Sequence, residues 1–239
     1  MKYIDLTLPT PPENLACDEA LIDLCEDGYD DEILRYWQPS EYFVVLGYSN
    51  KIRSEVNLPS CLADNVPALR RLSGGGSVLQ GQGCLNYTLI LKISNPGPLK
   101  NIADTNAFIM QQHLKALEPI GGTEIKIQGH TDLALGKLKF SGNAQYRRRR
   151  FLLFHGTFLL HLDISLVERF LRLPTTQPPY RENRSHKDFL TNLKVPSQRI
   201  KEALNRSWNA TSKFKDIPFE RIAELVAIRY SKKEWSGKF

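Results

Sequence analysis

The stretch from Arg70 to Asn86 reads RRLSGGGSVLQGQGCLN. Three consecutive glycines follow two arginines, a leucine and a serine, and a second cluster, GQG, comes shortly after. Glycine loses more backbone freedom on folding than any other residue, so such a run breaks regular structure and marks a loop whose backbone approaches something closely. The flanking runs VPALRRL and CLNYTLILKI both read as strands. Backbone N–H groups without side chains around them form an anion-binding concavity, and an adjacent arginine adds a two-pronged phosphate partner. The plain alternative is a β-turn with a solvent-facing arginine pair.

Two familiar phosphate loops do not fit. A P-loop needs G-x-x-x-x-G-K-[ST], and no lysine follows these glycines; in the G-x-G-x-x-G pattern, Leu79 stands where the third glycine belongs. The 239 residues are 41% hydrophobic and 24% charged, which is enough for an ordinary folded core. No apolar run approaches a membrane span, and MKYIDLTLPTPPENL has neither a signal core nor transit character, so a cytoplasmic protein is expected. Cys17, Cys25, Cys61 and Cys84 form no C-x-x-C pair, as expected in a reducing compartment. The five histidines, at 113, 130, 155, 161 and 186, offer no structural zinc spacing. A net charge of +6 is compatible with nucleic acid, an anionic cofactor, an acidic partner or a mildly basic surface.

Residues 2–8 alternate like a strand, and PENLACDEALIDLCE reads as a helix with Cys17, Ala20, Leu21 and Leu24 on one face. EILRYW and YFVVLGY read as paired strands around a Pro-Ser turn. Residues 101–117 read as an amphipathic helix with Ala103, Ala107, Met110, Leu114 and Leu117 as its core stripe. The strands TEIKIQ, TDLAL, KLKFSGNAQY and FLLFHGTFLLHL follow, then helices near 165–172, 197–208 and 218–231. PTTQPPYRENRSH at 174–186 is the only linker candidate. Strands and helices do not alternate regularly, so the expectation is a mixed α+β fold.

Several blocks together resemble the lipoate–protein ligase A family. RRLSGGGSVLQGQGCLNYTL resembles its glycine-rich signature, NLACDEALID its N-terminal helix, ILRYWQPSEYFVVLGYSN its first hairpin, TDLALGKLKFSGNAQ its lysine element and FHGTFLL its H-G-T strand. The blocks fall in family order and cover residues 14–160. The resemblance implies a mainly antiparallel sheet flanked by helices, shared with biotin–protein ligases. It also implies ATP and Mg²⁺ as cofactors, lipoate or octanoate as substrate, and acyl transfer from an acyl-AMP to a lysine of a lipoyl-carrier protein. YRENRSHKDFLTNL resembles a stretch of short relatives, so residues 1–239 are expected to be a single catalytic domain without a C-terminal accessory domain. Such an enzyme is self-sufficient or works with a small separate accessory chain.

By the same resemblance, Arg71 and Ser73 match positions contacting the activated acyl phosphate, and Gly75, Gly76, Ser77, Val78 and Leu79 match the adenylate-binding backbone. Lys139 matches the catalytic lysine, whose ammonium would offset repulsion between carboxylate and α-phosphate. Its alternation with Leu138 and Phe140 alone would make it a half-exposed strand lysine. Asp132 matches an aspartate suited to Mg²⁺ or the adenosine end, while Thr131 replaces the family's preceding asparagine. Asn86 matches a family asparagine or serves a turn. His155 and Thr157 position substrate, or His155 is a hydrogen-bonded core histidine. The acyl tunnel would be walled by Val78 and Leu46, and burying about six methylenes there is worth on the order of 5 kcal/mol.

Three rival readings remain. An ATP-independent octanoyl- or lipoyl-transferase of the same fold needs a thiolate, yet residues 100–239 contain no cysteine and Cys84 sits in the wrong block. A biotin–protein ligase would carry a G-R-G-R-x-G type loop. A nucleic-acid-binding domain would centre on Arg147–Arg150, but base-stacking aromatics and a known motif are missing. That arginine run otherwise reads as a hairpin tip facing solvent or an acidic carrier domain.

Overall fold

The computed structural model describes residues 1–239. Chain order is β1 (Lys2–Asp5), α1 (Pro11–Glu26), β2 (Ile33–Trp37), β3 (Phe43–Leu46), α2 (Ile52–Glu55), α3 (Leu58–Ala63), β4 (Ala68–Arg70), β5 (Val78–Gln80), β6 (Cys84–Lys92) and α4 (Ile102–Gly121). There follow β7 (Ile125–Gln128), β8 (Asp132–Leu135), β9 (Leu138–Arg147), β10 (Phe151–Leu159), α5 (Ile164–Phe170), α6 (His186–Phe189), α7 (Ser197–Ser207), β11 (Ser212–Lys213), α8 (Phe219–Leu225) and α9 (Lys233–Ser236). An eight-stranded sheet runs β11-β1-β2-β6-β10-β9-β8-β7, and a second sheet of three strands runs β4-β3-β5. The large sheet is antiparallel from β2 to β7 and parallel only at its β11-β1-β2 edge. The fold is the mixed α+β, mainly antiparallel architecture that the sequence implied.

Strand alternation splits the core in two. Leu34, Leu89, Leu91, Leu152 and Phe154 point to the face covered by α4 and α7, while Ile33, Ile90, Phe151 and Leu153 point to the face covered by α1 and α8. Helix α1 begins with a capping box: the Thr10 N–H donates to Glu13 Oε2 at 2.8 Å, and the Thr10 hydroxyl accepts from the Glu13 N–H. The helix is buried on nearly every side from Asn14 to Asp23, carboxylates included. Those carboxylates are therefore paired. Asp18 takes Arg35, Glu19 takes Arg229 and the Tyr230 hydroxyl, and Asp23 takes Arg148 and Arg221.

Two sequence expectations are corrected, and the hairpin tip read at the arginine run is present between β9 and β10 but largely paired. The runs around Pro39 do not form a hairpin: β2 pairs with β1 and β6, whereas β3 belongs to the small sheet with β4 and β5. Every residue of both strands is buried, so neither carries the one-sided alternation of a surface hairpin. The stripe of α4 is Thr105, Ile109, Met110, His113 and Leu117, while Ala103 and Ala107 are exposed. The arginine run is not a free basic patch. Arg147 donates to the Leu99 carbonyl at 2.7 Å, Arg148 pairs with Asp23 and Arg150 with Asp30, which leaves only Arg149 without such partners.

One buried arginine ties the small sheet to the rest of the molecule. Arg70 closes β4 with no solvent exposure and no carboxylate partner. Its guanidinium donates to the carbonyls of Gly47 (2.9 Å), Tyr48 (2.8 Å), Asn50 (2.8 Å), Trp235 (3.1 Å) and Ser236 (2.8 Å). The Trp235 indole N–H donates back to the Arg70 carbonyl at 2.8 Å. Arg70 thus anchors the entrance of the glycine loop to the β3 exit and to α9.

Two predictions follow from these buried groups. A lysine at position 70 has one point of charge and cannot reach five carbonyls arranged around a planar fork. Arg70→Lys should lower unfolding free energy by about 2–4 kcal/mol in urea titrations, because buried carbonyls lose their donors. His113 is fully buried between Tyr87, Phe158 and Trp208, and neither ring nitrogen has a hydrogen-bond partner. Burial pulls its pKa down to about 3. Below the ordinary value of 6.5 the unfolded chain takes up a proton that the folded chain refuses, so this contribution is intact above pH 6.5 and is lost as pH falls toward 3. His113→Phe should remove that limb, and its stability advantage over the parent should grow by about 1.4 kcal/mol per pH unit below 6.5.

Candidate active site

A cavity of about 650 Å³ opens between the small sheet and the β8–β10 part of the large one. Arg71, Gly75, Gly76, Ser77, Val78, Leu79, Asn86, Asp132, Lys139, His155 and Thr157 all line it. Of the residues singled out in the sequence, Ser73 lies behind the wall, with 1% of its surface exposed, and Leu46 is buried in the core under the small sheet rather than in a tunnel wall.

The glycine loop carries Ser73 to Ser77 between β4 and β5. Gly75 holds φ at +88°, and a Cβ there would meet Arg71 Nη2 at 3.0 Å, so only glycine suits the position. Arg71 braces the loop from inside. Its Nε donates to Ser73 Oγ at 3.0 Å, and its Nη2 donates to the carbonyls of Gly74 (2.5 Å) and Gly76 (2.9 Å). Burial pulls the Arg71 pKa down to about 10, which still leaves it cationic at neutral pH. The backbone N–H groups of Gly74, Gly75, Gly76 and Ser77 donate to no carbonyl outside the helices and strands and to no side chain. Three of these unclaimed donors, on Gly75, Gly76 and Ser77, line the cavity beside a buried guanidinium, an arrangement suited to an oxyanion.

Lys139 faces the loop from β9, where Phe140 turns into the core. Its ammonium lies 2.8 Å from Asp132 Oδ1, and Asp132 Oδ2 accepts from the Tyr180 hydroxyl at 2.7 Å. A Cβ at Gly142 would stand 2.8 Å from the Lys139 ammonium, so the missing side chain makes room for it. Tyr180 comes from 174–186, the segment that reads as a linker in the sequence but here forms a cavity wall. Both Asp132 oxygens are thus in use, and no three potential ligands cluster as a metal set. The side chains present do not form a protein cage for Mg²⁺.

The remaining wall is a hydrogen-bonded lattice. Asn86 stands on β6 and not in a turn; it exchanges two hydrogen bonds with Gln80, at 3.0 and 2.9 Å, and accepts from Thr157 at 2.5 Å. Thr131 donates its hydroxyl to the Asn143 carbonyl at 2.9 Å. His155 Nε2 lies 2.6 Å from Ser73 Oγ, and its Nδ1 lies 3.3 Å from Asp18 Oδ2. Gln80, Tyr180 and Asp18 escape sequence reading. The available signal for Asp18 is that carboxylates sit throughout a helix otherwise rich in apolar residues, and that Arg35 interrupts an apolar strand.

No cysteine lines the cavity. All four are buried, and burial pushes the thiol of Cys84 up to about 12, of Cys25 to about 12 and of Cys17 to about 11. No helix is long and apolar enough to cross a membrane.

The chain is similar to several known proteins. An Aeropyrum pernix protein provisionally named lipoate-protein ligase A is 29% identical over 243 residues, covering 95% of this chain and 89% of that protein. The octanoyltransferase LipM of Geobacillus kaustophilus is 25% identical, covering 99% of this chain and 98% of that protein. Two solved structures share the fold at 23% identity over the whole chain. A bipartite lipoate protein ligase from Thermoplasma acidophilum, described with its E2 lipoyl domain, aligns over 98% of its length with a TM-score of 0.82. A lipoate-protein ligase A bound with ATP aligns over its full length with a TM-score of 0.79. The model of the lipoyl protein ligase A/B catalytic domain matches residues 10–206, and the chain belongs to that family.

Proposed function

We propose that the chain is an ATP-dependent lipoate–protein ligase that makes an acyl-AMP from lipoate or octanoate and passes the acyl group to a lysine of a lipoyl-carrier domain. The observation that carries this reading is the run of unclaimed N–H groups from Gly75 to Ser77, which line the cavity with Arg71 and Lys139. In the first step the substrate carboxylate attacks the α-phosphorus of ATP; a new P–O bond forms and pyrophosphate leaves. The loop donors and Arg71 receive the phosphate oxygens. Lys139 leaves Asp132 to stand between the two anions, which strengthens as charge builds in the transition state. In the second step the acceptor amine attacks the acyl carbonyl, AMP departs and the amine loses a proton. Mg²⁺ enters this scheme with the nucleotide, and Asp132, once Lys139 has left it, would offer the ion one carboxylate oxygen.

The LipM likeness keeps an ATP-independent transferase as the second reading. That chemistry needs an accessible thiolate, and the buried cysteines with raised pKa values favour the ligase. Residues 1–239 act in this proposal as one catalytic unit in the cytoplasm. Purified chain, ATP, Mg²⁺, lipoate and a lipoyl domain, followed by mass spectrometry, should give AMP and an acylated domain. The same mixture without ATP, supplied with an octanoyl thioester, should give none. If the domain is acylated only after a small accessory chain is added, that chain is a required partner.

Replacing all four cysteines by serine or alanine should leave ATP-dependent transfer intact in protein that stays folded. Loss of transfer together with an acyl adduct on Cys84 of the parent would sink the ligase reading. Lys139→Met should lower pyrophosphate release by roughly 10²–10³, while stability moves by less than about 1 kcal/mol because a partly exposed ion pair contributes little. Lys137, 75% exposed on its side chain, serves as the control, and Lys137→Met should retain the parent rate. Equal losses in both variants would return Lys139 to the role of a surface lysine.

A further inference from the structure

Arg71, which lines the cavity, and Arg35, buried behind it, stand near a single carboxylate, Asp18. Arg35, with no exposed surface, pairs with Asp18 at 2.6 Å. Its other donors are met by the Asn14 carbonyl and side chain and by the Leu6 carbonyl. Arg71 has no carboxylate of its own; its only protein acceptors are Ser73 Oγ and the carbonyls of Gly74 and Gly76. A chain of contacts joins the two arginines: Arg71 Nε to Ser73 Oγ at 3.0 Å, Ser73 Oγ to His155 Nε2 at 2.6 Å, His155 Nδ1 to Asp18 Oδ2 at 3.3 Å, and Asp18 Oδ1 to Arg35.

The directions in this chain are forced when the imidazole is neutral. Arginine only donates and an ionised carboxylate only accepts. Burial raises the Asp18 pKa, but Arg35 and then His155 outweigh it and hold the carboxyl below its ordinary value, so it is ionised. Ser73 must then give its proton to His155 Nε2, and His155 must give Nδ1–H to Asp18. All three links point the same way, from Arg71 to Asp18, and hydrogen bonds aligned in series strengthen one another. A direct Arg71–carboxylate pair would occupy the guanidinium face that an anionic ligand needs. Two neutral groups placed between them orient Arg71 and leave that face open, with one positive charge in excess on this wall.

We infer that Asp18 is a positioning residue for Arg71, acting through His155 and Ser73, and that the excess positive charge is completed by the anionic acyl-phosphate of the ligand. The inference rests on the acyl-adenylate reading. It accounts for a carboxylate from α1 reaching the cavity on the side where Arg71 and His155 line it.

The test measures binding of an octanoyl-sulfamoyl adenosine, a non-hydrolysable acyl-phosphate mimic whose acylsulfamate nitrogen carries the negative charge, against adenosine as the neutral probe. Ser73→Ala cuts the chain and leaves the Arg35–Asp18 pair in place. It should weaken the analogue at least tenfold and adenosine less than twofold, and Ser73→Thr should restore the analogue. Asp18→Asn should weaken the analogue at least tenfold in the parent but less than twofold in the Ser73→Ala background, since both changes act through one chain. Where Asp18→Asn does not fold, the Ser73 pair of variants decides alone. Unchanged analogue binding in Ser73→Ala, or additive losses in the double variant, overturns the inference while the ligase reading stands. A parent that binds adenosine but not the analogue overturns both.

Discussion

Arg70 is the point on which the molecule hangs together. Its guanidinium donates to five main-chain carbonyls from two separate segments, 47–50 and 235–236, three of them sharing Nη1. Hydrogen bonds made by a charged donor are stronger than neutral ones, and carbonyls deprived of such a donor in a dry interior are costly. The adjacent residue, Arg71, inherits its position from this knot. One arginine of the pair therefore serves architecture and its neighbour serves the cavity, although the letters RR do not distinguish them.

Charge in the cavity is arranged to be incomplete. Lys139 and Asp132 hold each other, with Tyr180 as the second partner of the carboxylate, so that pair is neutral at rest. The opposite wall keeps a guanidinium braced by backbone carbonyls and a row of N–H groups with no acceptor. The cation is held by neutral dipoles, and none of those dipoles cancels its charge. An oxyanion arriving between the walls gives Lys139 a second negative partner to choose.

Much of this was legible in the sequence. Gly75 and Arg71 could be marked because close backbone approach and a cation beside a glycine run leave a local imprint, whereas Lys139, which alternates like any half-exposed strand lysine, is marked only by the family resemblance. The misreadings have physical causes. The strands β2 and β3 are buried throughout, so their neighbours cannot be told from alternation, and proximity in sequence suggested a pairing that the fold does not make. On α4 the apolar letters selected Ala103 and Ala107, whereas the buried face includes Thr105 and His113, polar residues that apolarity counting discards. The 174–186 segment has few apolar residues, yet Tyr180 is fixed by Asp132, 48 positions away, a contact that local pattern cannot carry.

The knot at Arg70 also bears on synthesis. Trp235 and Ser236 follow Arg70 by 165 and 166 positions. At translation rates of about 5–20 residues per second, that separation takes roughly 8–30 s. Through that interval a nascent chain can pair β3 with β4 and β5, but it lacks two of the five acceptors that fix the loop entrance. The glycine loop is therefore among the last parts of the molecule to set, and a nascent chain remains without a finished loop entrance until α9 can fold back onto Arg70.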